Sequence, residues 1–138
     1  MRTSIAFLVV FAGAVSMTAG AGSTVAPPGV TGHCAPSLQA YFAKDFTDQA
    51  YQHKAYQKVA GEWKRPASDP KPGSKAVVIA TIARDGKAPS PTLHMKSGSE
   101  AWDAAALAAV KGAAPFDPLP ASYSQPSVEV HFHFACGG

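Results

Sequence analysis

Apolar and polar positions change period several times along the chain. Leu38, Phe42 and Phe46 recur every fourth residue, and Tyr56, Val59 and Trp63 follow at i, i+3 and i+7. No proline and one glycine, Gly61, interrupt 38–64. This predicts a helix over 49–64 with one or two helical turns before it. Pro66 ends it, because a residue before proline is pushed out of the α region. After a loop over 67–74, the run from Lys75 to Arg84 is rich in Val, Ile and Thr and apolar on both faces, which predicts an interior strand. Asp85-Gly86 predicts a hairpin with a type I′ turn. The returning strand, 87–96, carries Pro89 and Pro91 in its first half, so it has to be an edge, a bulge or a late start.

Ser97 and Glu100 fit a capping box that opens a second helix over 100–113. Trp102, Ala106, Ala109 and Ala113 form its predicted buried stripe, widened by Leu107, Val110 and Ala114. Pro115, Pro118 and Pro120 make an extended exit. In the last strand Val128, Val130, Phe132 and Phe134 alternate with Glu129, His131 and His133, which places one face on the core and the other in water. The expected fold is α+β in two layers: a small antiparallel three-stranded sheet packed by two helices, in the order α-β-β-α-β.

The N-terminus changes the compartment. Arg2, an apolar run over 5–15, and Ala19 and Ala21 in an A-x-A arrangement have the three-part layout of a secretory signal peptide, with cleavage expected after Ala21. The rival reading is an uncleaved membrane anchor over 4–21, close to the shortest span that crosses a bilayer. Residues 22–36 read as a flexible arm and 37–138 as the domain. In an exported chain an even cysteine count suggests a disulfide, here Cys34 to Cys136, closing a loop of about 100 residues. There is no C-x-x-C redox pair. The formal net charge is +3, without a dense basic run, which argues against nucleic acid as a partner.

Candidate chemistry is sparse. Glu129, His131 and His133 share one strand face, and such a set holds Zn or Cu only with a further ligand. His94 could join them only if its strand were adjacent. A solvated polar face explains the set without a metal. His33 and His53 read as surface residues. Asp45, Asp48 and Glu62 near Lys44, Lys54 and Lys58 read as helical ion pairs. Ser97-Gly98-Ser99 lacks a G-x-S-x-G context and a partnered histidine, so it reads as a cap. Trp63 and Trp102 read as packing. No catalytic residue and no cofactor are expected.

Several of these features, in this order and spacing, resemble the C-terminal domain of the TonB/TolA family. They are the helix ending in Trp63 and Pro66, the strand running into Asp85-Gly86, Ser97-Gly98 before the helix, Trp102-Asp103 with its alanines, and Pro115-Phe116 running to Leu119-Pro120. The resemblance covers roughly 51–135. It implies a non-enzymatic periplasmic domain that works by contact with envelope proteins, an outer-membrane transporter or a Tol/Ton component among them. It also implies strand addition at the last strand, on Val128, Glu129, Val130, His131, Phe132, His133 and Phe134. Energy transducers of this family carry an anchor histidine and a long spacer. Here residues 1–32 contain no histidine, and the arm spans at most ~50 Å. The expectation is therefore a freestanding periplasmic member. The alternatives are a small exported ligand- or metal-binding protein on the same fold, an envelope-structural docking protein of TolA type, and an inner-membrane-anchored transducer.

Overall fold

The computed structural model describes residues 34–137, and the expected signal peptide lies outside the described residues. The elements run β1 (Ala35–Phe42), α1 (Gln49–Glu62), β2 (Lys75–Ala83), β3 (Thr92–Met95), α2 (Glu100–Ala113) and β4 (Ser127–Gly137). All pairings are antiparallel, and the strand order across the sheet is β1-β4-β2-β3. The fold is α+β as expected, but among the described residues the sheet has four strands.

The fourth strand is β1, where helical turns were expected. Leu38, Phe42 and Phe46 do recur at i+4, yet Leu38 and Phe42 lie on a strand that pairs with β4. Tertiary pairing overrides the local period, because β4 offers an edge that β1 fills over eight residues. Ala35 and Pro36, expected in the arm, belong to this strand.

The core lies between the sheet and the helices. Ala76, Val78, Ala80 and Ile82 of β2 sit opposite Phe134, Phe132, Val130 and Val128 of β4, and all eight are buried. α2 lays Trp102, Ala106, Ala109, Val110 and Ala113 against them, as its stripe predicted. Its alanines let the helix approach closely, and the Trp102 indole Nε1 donates to the carbonyl of Phe134 at 2.9 Å. α1 buries Tyr51, Ala55 and Val59, a stripe one turn earlier than Tyr56, Val59 and Trp63. Trp63 packs edge-on against both Trp102 and Phe134.

Two turn details differ from expectation, and the late start of β3 follows it. The hairpin after β2 is not type I′, since Gly86 has φ +91° while Asp85 does not have positive φ. Gly86 N–H donates to Ala83 O, and Ala83 N–H donates to Lys87 O. That is a three-residue loop with a glycine bulge. β3 starts late, after Pro91, with a register irregularity between Val77 and Val78. The N-cap of α2 is Ser99 and not Ser97: its Oγ accepts from Trp102 N–H. Ser97 N–H donates instead to the buried Asp103 carboxylate at 2.8 Å.

Candidate protein-binding edge

The strand expected to accept a partner is not at an edge. β4 lies between β1 and β2, and each residue from Val130 to Phe134 has a neighbour on both sides. Glu129 is opposite Thr81, and its carbonyl accepts from Ala43 N–H at 3.1 Å. An open row of N–H and C=O groups over residues 128–134 is therefore absent, because β1 occupies the place of an added strand. The outer strands are β1, eight residues long, and β3, four residues long and preceded by Pro89 and Pro91. On a sheet margin, alternate backbone groups lack a strand partner and can template another chain.

Cys34 and Cys136 form a disulfide at the start of this margin. Both are buried, and they tie the entry of β1 to the end of β4. Arg65 bonds the carbonyl of Cys34 at 2.9 Å, and Asp69 accepts from Cys34 N–H at 3.2 Å. Among the described residues, Cys34, Asp69 and Cys136 are the one His/Cys/Asp/Glu group with ligand atoms already within 4.8 Å of one another. Both of its sulfurs are consumed by the disulfide.

The face of the sheet turned away from the helices carries Gln39 and Tyr41 of β1, Glu129, His131 and His133 of β4, and Ile79 and Thr81 of β2. His131 Nε2 lies 2.5 Å from Glu129 Oε1. His133 stacks edge-on with Tyr41 at 4.7 Å. Partial burial, then Lys75, then His131, hold its pKa below the ordinary imidazole value. His94 stands on β3, which is not adjacent to β4, yet its ring centroid is 6.3 Å from that of His131. His53 is exposed on α1, as expected. His33 lies outside the described residues.

The remaining candidates fall to structural roles. Ser97-Gly98-Ser99 is the entry to α2, with Gly98 at φ +94°. Asp48 is the N-cap of α1 and accepts from Tyr51 N–H. Lys54 and Lys58 approach Asp117, at 3.8 and 3.9 Å, and not the helical acids. Tyr51 donates to the Asp117 carbonyl at 2.6 Å, and burial together with the Asp117 charge pushes its phenol up to about 12. Arg84, read from the sequence only as the end of a strand, bonds the carbonyls of Pro120, Tyr123 and Gln125 and so fixes the exit from α2. The one signal available for it was its place beside a turn facing a proline-rich, carbonyl-exposing segment.

No helix among the described residues is long and apolar enough to cross a membrane. No curated protein and no solved structure matches the chain. The family model described as TonB C terminal matches residues 48–134. That span holds both helices, β2, β3 and β4 as far as Phe134, so the chain belongs to the TonB C-terminal family.

Proposed function

We propose that this chain is a non-enzymatic, periplasmic protein-interaction domain. It captures an extended segment of an envelope protein by adding it as a strand beside β1. Membership of a family that works in the envelope by contact supports the class. The observation that carries the site is the strand order: with β4 interior, the outer side of β1 is the longest open backbone edge. Main-chain bonds would supply affinity there, and the outward Ser37, Gln39 and Tyr41 would read alternate side chains of the guest. No charged side chain interrupts β1.

A second reading rests on where the family match starts. β1 precedes residue 48, so within the matched span the outer side of β4 has no covering strand. β1 would then be an internal stand-in for the partner, released when Cys34–Cys136 is reduced. Photo-crosslinking in cells separates the two. A benzophenone side chain is placed at Gln39 on β1, at Glu129 on β4, and at the exposed Lys111 on α2 as control. Strand addition at β1 predicts adducts from position 39 in the oxidised chain and none from 111. Adducts that appear at 129 only after both cysteines are replaced would favour the second reading. Equal labelling from 39 and 111 would sink both.

A further inference from the structure

Cys34, Asp69 and Cys136 come from three parts of the chain. Cys34 precedes β1, Cys136 lies near the end of β4, and Asp69 sits in the loop between α1 and β2. Backbone bonds hold the end of that loop to β4: Gly73 N–H donates to Cys136 O at 2.6 Å, and Cys136 N–H donates to Ser74 O at 2.8 Å. Arg65 grips both oxygens of the Asp69 carboxylate, at 3.2 and 2.6 Å, and Oδ2 also accepts from Cys34 N–H. A carboxylate that is 11 % exposed is thereby fixed beside two buried sulfurs. One ligand atom from each of the three residues lies within 4.8 Å of the other two. The carbonyl oxygen of the buried Pro70 is 3.5 Å from Cys136 Sγ.

We infer that, once the disulfide is reduced, Cys34, Cys136 and Asp69 form a binding site for a divalent ion of the zinc class. Thiolate, not disulfide sulfur, is the ligand such an ion takes, so the bond has to open first. A small dithiol supplies two electrons and two protons to the sulfurs and leaves as its own disulfide. The ion then replaces the two thiol protons, which pass to solvent. Two thiolates and one carboxylate are donors that zinc accepts. Their three negative charges are matched by the two of the ion and the one of Arg65, so no net charge is left in a buried place. The distances suit a tetrahedral ion, which holds two sulfurs about 3.8 Å apart and a sulfur and an oxygen about 3.6 Å apart. The Cα atoms of Cys34 and Cys136 are 5.1 Å apart, close enough for both sulfurs to reach one ion by side-chain rotation. From within 4.8 Å, the carboxylate has to close by no more than about 1.2 Å. The fourth position falls to water or to the Pro70 carbonyl. Such an ion ties the entry of β1 to the end of β4 as the disulfide does, so β1 stays in place in a reduced chain that carries zinc.

Cobalt reports on this site independently of any partner. The signal-free chain is reduced with a phosphine, kept free of oxygen and titrated with CoCl2, then with ZnCl2. One ion per chain is expected, with thiolate-to-cobalt charge-transfer absorption and the strong ligand-field bands of a tetrahedral ion, both abolished by zinc. The oxidised chain should show neither. Cys34→Ala and Cys136→Ala should each lose the charge-transfer band or weaken binding at least 100-fold. Asp69→Asn, whose fold is verified with the disulfide intact, should weaken binding at least tenfold. His94→Ala and His131→Ala should change it less than twofold. Zinc at 100 times its Kd should raise the urea midpoint of the reduced parent by about 1–2 M. Asp69→Asn that binds cobalt as tightly as the parent overturns the proposal. So does an oxidised chain that binds equally well, a reduced chain without charge-transfer absorption in tenfold excess of cobalt, or a urea midpoint that zinc leaves unmoved.

Discussion

Gly86 is where the hairpin, the exit from α2 and the core meet, and replacing it with alanine tests that junction. Its φ of +91° is a left-handed conformation, which costs a side-chain-bearing residue about 1–2 kcal/mol. A Cβ there would also overlap the carbonyl oxygen of Phe116, 2.9 Å from that carbonyl's carbon and 3.0 Å from Asp117 O. These are backbone atoms, so they cannot swing aside. Relief requires breaking the bond from Phe116 N–H to Gly86 O, now 2.8 Å, which costs about 1–3 kcal/mol if the donor stays buried. Phe116, 3 % exposed, would lift from its stack with Phe132. Gly98 provides the internal control. Its φ is +94°, but nothing lies within 4 Å of its missing Cβ. Gly98→Ala should therefore cost only the conformational term, about 1–2 kcal/mol. Gly86→Ala should cost about 2–5 kcal/mol in all, toward the upper end because the overlap is with backbone. In urea, with an m-value near 1.5 kcal/mol/M, the Gly86 variant loses about 2 M or more in midpoint and the Gly98 variant about 1 M. Equal midpoints in the two variants would mean that the segment after α2 does not rest on the hairpin.

Three other contacts can be tested in the same way. Replacing both Cys34 and Cys136 with alanine should lower unfolding stability by about 4–5 kcal/mol, since the bond closes a loop of 102 residues' separation; a loss under about 1 kcal/mol in urea melts would refute a stabilising cross-link. Trp102→Phe should cost about 2–3 kcal/mol, because it removes the bond to Phe134 O from a fully buried site. Trp63→Phe should cost less, since the buried Trp63 Nε1 has no hydrogen-bond partner to lose; equivalent losses would contradict the assignment. Tyr51, with its phenol raised to about 12, should remain protonated well above the ordinary phenol value of about 10. For an acid raised in the folded state, the unfolded chain ionises first. The Tyr51 contribution is thus intact below pH 10 and is lost as pH rises from there toward 12. Tyr51→Phe should flatten the fall in urea midpoint between pH 10 and 11.5, and an unchanged slope would count against it.

What the chain discloses locally, and what it hides, follows from the range of the interactions. Alternation in 128–134 and the alanine stripe from Trp102 to Ala113 were legible because each element buries one face against the other. Asp85-Gly86 announced its hairpin, but only the bond pattern around Ala83 and Lys87 distinguishes a three-residue loop from a type I′ turn. β1 was misread because Leu38, Phe42 and Phe46 satisfy a helical period, while the strand period rests on Leu38, the small Ala40 and Phe42. Nothing within 35–42 says that the other end of the chain supplies its partner. That long-range pairing is also why strand addition, carried over from the resemblance onto 128–134, fell where β1 already lies. His94 and His131 meet across β2, and Asp117 meets Tyr51, Lys54 and Lys58 across 60 residues or so, distances at which no sequence motif operates.

The claim that the open edge belongs to β1 can be read directly from native-state hydrogen exchange, resolved by residue with NMR. A strand paired on both sides protects consecutive amides, whereas a marginal strand protects every second one. Unbroken protection is expected over 130–134 and alternating protection within 37–42. Alternating protection over 130–134, with uniformly fast exchange in 37–42, would return β4 to the margin of the sheet and contradict that claim.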